Sequence, residues 1–226
     1  MTDYTIGEKM KELINKKYSS LQLLLTLIFV SCLIVSNIIA GKQIRLPFNL
    51  VMPAAVIIFP ITYILSDIFS EVYGYKWSRA TNYLGLIMNL FAVITFTIAI
   101  KIPAPVFYEN QEAFKTILGN TPRILIASTL GLWIGDFLND NVFRMMKKKY
   151  QSSHENYGAR AIVSSLVGEI GDSLIFIPIV FYGAMPFEVM VKMIFTQAFL
   201  KVGYEVIILP ISKRMMLKVS KYEQEI

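Results

Sequence analysis

Seven carboxylates, Asp67, Glu71, Asp136, Asp140, Glu169, Asp172 and Glu205, sit inside stretches that otherwise read as membrane-spanning helices. An ionised side chain at the centre of a spanning helix costs roughly 2.5–3.5 kcal/mol on insertion scales. A chain that carries several must turn them toward a shared polar interior rather than toward lipid. Residues three and four apart share a helix face, and by that rule the acids fall in rows. Tyr63, Asp67 and Glu71 form one row, and Asp136, Asn139 and Asp140 a second. Ser165, Glu169, Asp172 and Ser173 form a third, and Gln197, Lys201 and Glu205 a fourth. Four polar stripes on otherwise apolar helices point to a chamber that binds or moves a polar solute, as in a transporter with a central site.

Each stripe also has a plainer reading. Lys201 and Glu205, one turn apart, can neutralise each other within their own helix. Asp67 and Glu71 can pair with Lys76, Arg79 or Arg160 at the cytoplasmic rim, where Glu71 and Arg160 would act as anchors or gates. Asp140 needs only headgroup contact. Glu169 and Asp172 are harder to dismiss, because like charges on one face near mid-span repel unless a cation, a proton or hydrogen-bond donors intervene. They are the leading candidates for contact with a solute. Proton coupling through Glu169, Asp172 or Glu205 is compatible with their desolvation.

The elements that must position these groups follow from hydropathy. The apolar share is 55% and the mean hydropathy +0.54, high for a soluble domain. Six blocks approach the roughly 20 residues needed to cross the hydrocarbon: Leu21–Gly41, Val51–Tyr73, Asn82–Ile100, Arg123–Phe143, Ala161–Gly183 and Glu188–Ser212. Charge interrupts the second and sixth. The expected fold is all-α, a polytopic bundle of six transmembrane helices over residues 21–212. Residues 1–20 read as a cytoplasmic amphipathic segment. Residues 213–226 read as a basic cytoplasmic tail. The first apolar block is too long for a signal sequence and is expected to be retained.

Orientation follows from the basic residues. Fifteen Lys and Arg fall in the segments on the side of the N-terminus and five on the other side, with Lys192 and Lys201 inside the sixth block. That bias places both termini in the cytoplasm. Anionic headgroups account for the net charge of +6 without any nucleic-acid partner.

The chain has one cysteine, Cys32, and one histidine, His154, so a thiolate or imidazole metal cluster and a disulfide framework have no ligands. No G-x-x-x-x-G-K-[ST] phosphate loop is present. Transport would run on an ion gradient, on downhill trapping, or on separate ATPase subunits. An intramembrane aspartyl protease built on Asp136 and Asp172 is a remote alternative. The G-x-G-D run of such enzymes is one residue too long here, as Gly168-Glu169-Ile170-Gly171-Asp172. The expectation is a protein that is not an enzyme and needs no cofactor or metal.

Several runs, in order, resemble the queuosine precursor transporter family, within the wider vitamin-uptake-type, S-component-like membrane proteins. They are Ser36-Asn37 and Lys42; Phe59 through Gly74, with Asp67 and Glu71; Gly135-Asp136-Phe137-Leu138-Asn139; Arg160 with Ser164, Gly168-Glu169, Asp172-Ser173 and Ile175-Phe176; and Lys201, Glu205 and Pro210. The resemblance implies a six-helix fold in the cell membrane and import of a 7-deazaguanine (preQ0, preQ1 or queuine) for making the tRNA nucleoside queuosine. The alternative it leaves is a vitamin-binding S-component energised by ATPase subunits, with a homo-oligomer also compatible. A deazaguanine presents N1–H and a 2-amino group side by side, which Glu169 or Asp172 can accept together. Asn139, Gln197 or Lys201 can donate to O6. Trp133, Phe137, Phe176 or Tyr204 can offer a π-face. Asp67 or Asp136 can receive an aminomethyl cation. The second acid on the fourth span, Asp140 beside Asp136, departs from the family pattern and would favour a cationic guest.

Overall fold

The computed structural model describes residues 18–149 and 157–224, the side chains at 143, 147–149 and 157–161 excepted. Nearly all of the amphipathic segment expected at 1–20 therefore lies outside the described residues. Seven α-helices run in order through the described residues: α1 Ser20–Ile39, α2 Phe59–Glu71, α3 Tyr75–Lys101, α4 Gln111–Leu118, α5 Thr121–Lys149, α6 Tyr157–Phe181 and α7 Phe187–Gln224. Four of these are long and apolar enough to cross a membrane: α1, α3, α6 from Ile162, and α7. α5 is long enough, but Asp136, Asp140 and the basic run at its end break its apolar stretch. At 13 residues α2 is short for a span.

The expected second span is not one helix. Gln43–Arg45 (β1) and Val51–Pro53 (β2) form an antiparallel hairpin in which Ile44 faces Met52. Its turn holds Phe48 and Asn49 at positive φ, 62° and 59°. A 3₁₀ turn over Ala54–Ile57 then leads into α2. Pro60 supplies the physical reason. It has no N–H for a helix entering from Val51, and its ring would strike the carbonyl four residues back. It sits instead in the first turn of α2, where that N–H is not needed. The non-helical segment is shielded by protein: Met52, Ala54, Ala55 and Val56 are all at most 4% exposed.

Two apolar clusters hold the bundle. One joins Ala127, Phe176, Ile177, Phe181, Met193 and Ile194 across α5, α6 and α7, with Ala40 and Ala55. The other joins Leu25 and Phe29 of α1 to Leu65, Ile68 and Phe69 of α2, with Met216 and Val219 of α7 against it. α7 therefore continues as helix well past the expected end of the sixth span.

The α5–α6 contact is the most extensive between any two helices, and small residues permit it. A Cβ added at Gly135 would lie 2.9 Å from the Gly168 carbonyl oxygen, and one at Gly171 2.3 Å from Leu138 Cδ1. A Cβ at Gly131 would lie 2.3 Å from Asp172 Oδ1, so Gly131 makes room for that carboxylate.

Candidate functional site

Four side chains from two helices, α2 and α6, converge around Lys201 of α7. Its ammonium lies 2.7 Å from Glu169 Oε2 and donates to Asp172 Oδ2. Glu169 and Asp172, three residues apart, share the face of α6 that meets α7. From α2, the Tyr63 hydroxyl donates to Glu169 Oε1 at 3.4 Å. The Phe59 ring, one turn before Tyr63, has its centroid 5.2 Å from the Lys201 ammonium, within cation–π range. The Lys201 side chain is 10% exposed, against 23% for Glu169 and 16% for Asp172. A lysine so placed is held by its pairing with the two carboxylates, which offsets the cost of burying its charge.

Lys201 thus reaches across to α6 rather than along its own helix. Glu205 is exposed and accepts from the Ser165 hydroxyl at 3.4 Å. Gln197, one turn before Lys201, is 2% exposed, and its Oε1 has no partner. The Ser173 hydroxyl, beside Asp172 in sequence, is also buried without a partner.

Other expected groups lie apart from this cluster. Asp67 accepts from the Ser212 hydroxyl at 2.6 Å, tying α2 to α7. Asp136 and Asn139 line a cleft of about 360 Å³ with Tyr75, Phe137, Asp140, Asn141 and Arg144. Asn139 also packs on α6: a Cβ added at Gly168 would lie 2.9 Å from Asn139 Cβ. Asp140 pairs with Arg144 at 3.2 Å, both exposed. Glu71 is exposed. The Arg160 side chain lies outside the described residues.

The expected π-faces do not reach the cluster as free surfaces. Trp133 and Phe137 are 64% and 67% exposed on α5. Phe176 is packed into the apolar core. The aromatic groups at the cluster are Phe59 and Tyr63. Tyr63 was visible in the α2 polar row. Phe59 carried a signal only through its spacing, four residues ahead of Tyr63.

A buried lysine between two acids, beside Phe59 and Tyr63, makes a polar, charged site within an otherwise apolar bundle. A sequence profile described as putative vitamin uptake transporter matches residues 53–215, from the buried hairpin strand to the far part of α7. The chain belongs to that family. This vitamin-uptake-type transporter is accordingly a multi-pass membrane protein. A Bacillus subtilis (strain 168) protein named probable queuosine precursor transporter is 23% identical to it over 177 residues. The match covers 77% of this chain and 76% of the relative. No solved structure matches the chain.

Proposed function

We propose that the protein imports a 7-deazaguanine queuosine precursor through the site at Lys201. The observation that carries this reading is the meeting of Glu169, Asp172 and Lys201 inside the bundle. The name of the Bacillus subtilis relative supports the substrate class. A carboxylate of α6 accepts the N1–H and 2-amino pair, and the Lys201 ammonium donates to O6. Phe59 and Tyr63 give the flat ring its wall. Gln197, and Asn139 behind Gly168, extend the polar lining. The cleft at Asp136 and Asn139 provides an exit on the side of the basic α5 terminus.

In this reading α1, the segment Val51–Glu71, α3, α5, α6 and α7 are six crossings of the cell membrane, with both termini cytoplasmic. The membrane domain covers residues 21–212, flanked by cytoplasmic segments. Asp172 is committed to Lys201, which does not suit a protonated aspartyl dyad with Asp136.

Equilibrium binding of preQ0, preQ1 and queuine to purified protein tests the proposal, with Glu169→Gln beside the native chain. Saturable binding of at least one deazaguanine, weakened on the order of tenfold or more by Glu169→Gln, is the expected result. Binding of riboflavin or biotin with none of a deazaguanine would replace it with the S-component reading. Uptake with and without a proton gradient then separates ion coupling from trapping or external ATPase subunits.

A further inference from the structure

The central site does not balance its own charge. Glu169 and Asp172 carry two negative charges, and Lys201 supplies one positive. Among the described residues, Lys201 is the cation within ion-pair distance of either acid. Arg144 and Lys192 are engaged elsewhere, on exposed Asp140 and Glu188. Tyr63 contributes a neutral donor. Asp67 accepts from Ser212 and Glu205 from Ser165, so neither carboxylate is bonded to Lys201. Gln197 adds a second observation that points to a ligand: its Oε1 is an acceptor with no donor, in a residue 2% exposed, one turn from Lys201 on the same helix face. An orphaned acceptor in such a place carries the full cost of its desolvation until a donor arrives.

We propose that this site selects a guest carrying one positive charge and several N–H donors over a neutral guest of the same ring shape. The proposal rests on the deazaguanine reading and narrows it. The surplus carboxylate, shared between Glu169 and Asp172, receives the guest's ammonium. Gln197 Oε1 accepts one of its N–H groups. Among deazaguanines the aminomethyl compound preQ1 fits this description at neutral pH, and the nitrile preQ0 does not.

The test is isothermal titration of preQ1 and of preQ0 into the purified full-length protein at pH 7. Two buffers of different ionisation enthalpy count the protons exchanged. The expected result is preQ1 bound tighter than preQ0 on the order of a hundredfold, with no net proton taken up. Glu169→Gln and Asp172→Asn each bring the sum of fixed charges to zero, and either should shrink that preference at least tenfold. The native comparison stands even if both variants fail to fold. Equal affinity for the two compounds, or preQ0 bound as tightly with uptake of one proton, would overturn charge selection and leave the deazaguanine reading intact. Failure of both compounds to bind would overturn charge selection, and the deazaguanine reading falls with it if queuine also fails to bind.

Discussion

Lys201 on α7 turns its ammonium away from Glu205, one turn along its own helix, and places it 2.7 Å from Glu169 on α6. An ion pair within one helix would have been a local device. An ion pair between helices fixes how α6 and α7 lie against each other, and it does so at the centre of the bundle. The guest proposed for this protein must work on the same bond that holds two of its helices together.

Removing the lysine leaves two acids facing each other with little water. Lys201→Met should lower stability by about 3–5 kcal/mol, the usual cost of stripping one partner from a buried pair. Adding Asp172→Asn should recover part of the loss. Unfolding in detergent, followed by circular dichroism, reads both. A single variant as stable as the native chain would mean that the pair carries no structural role.

The glycine seam between α5 and α6 separates packing from site geometry. Gly135→Ala brings a methyl against the Gly168 carbonyl and should cost about 1–3 kcal/mol of stability. Gly131→Ala meets Asp172 Oδ1 instead. It should displace the carboxylate and reduce deazaguanine affinity on the order of tenfold, with a smaller change in unfolding. The two variants side by side, read by melting and by binding, give opposite rankings if the seam works this way.

The α2 contributions are smaller. Tyr63→Phe removes one hydroxyl donor from Glu169 and should weaken binding by about 0.5–1.5 kcal/mol. Phe59→Leu removes the ring face from Lys201, worth about 0.5–2 kcal/mol. Titration of ligand into each variant checks the sizes. Losses above a hundredfold would show that these residues do more than line the wall.

At the far end of α7, Glu223 accepts from the Tyr73 hydroxyl at 2.8 Å and from the Ser19 hydroxyl at 2.5 Å. Glu223→Gln weakens two charge-assisted bonds to neutral ones and should cost about 1–2 kcal/mol locally. Hydrogen exchange should then rise across residues 213–224 while the core of α6 stays protected. Uniform exchange along both helices would refute the contact.

The long apolar blocks made the α1, α3, α6 and α7 crossings legible, because length and hydropathy alone identify a span. The hairpin at Gln43–Pro53 was not legible. A short apolar run such as Val51–Ile58 has no period that distinguishes strand from helix, although Pro60 marks where α2 begins. The extension of α7 was hidden by Lys213, Arg214, Lys218 and Lys221, which read as a solvated tail. Yet Ser212, Met216, Val219 and Glu223 recur at helical spacing, and the structure buries or packs that face. At the site, same-helix spacing put Glu169 and Asp172 on one face, and both meet Lys201. Which helix Lys201 would face is a tertiary fact, and one-dimensional spacing left Glu205 open as its partner. Trp133 and Phe137 lie across α5 from the buried row Ala127, Gly131 and Gly135, so they look outward while the glycines pack on α6.

Because α7 runs unbroken from Phe187 to Gln224, the central lysine and the Glu223 contact ride on a single rod. The 22 residues between them span about 33 Å at 1.5 Å per residue. A five-degree tilt pivoting at Lys201 would swing the far end by about 3 Å, enough to part it from Tyr73 and Ser19. A displacement at Lys201 would then register at the opposite end of the same lever, with Pro210 as the place along it where such a movement could be damped.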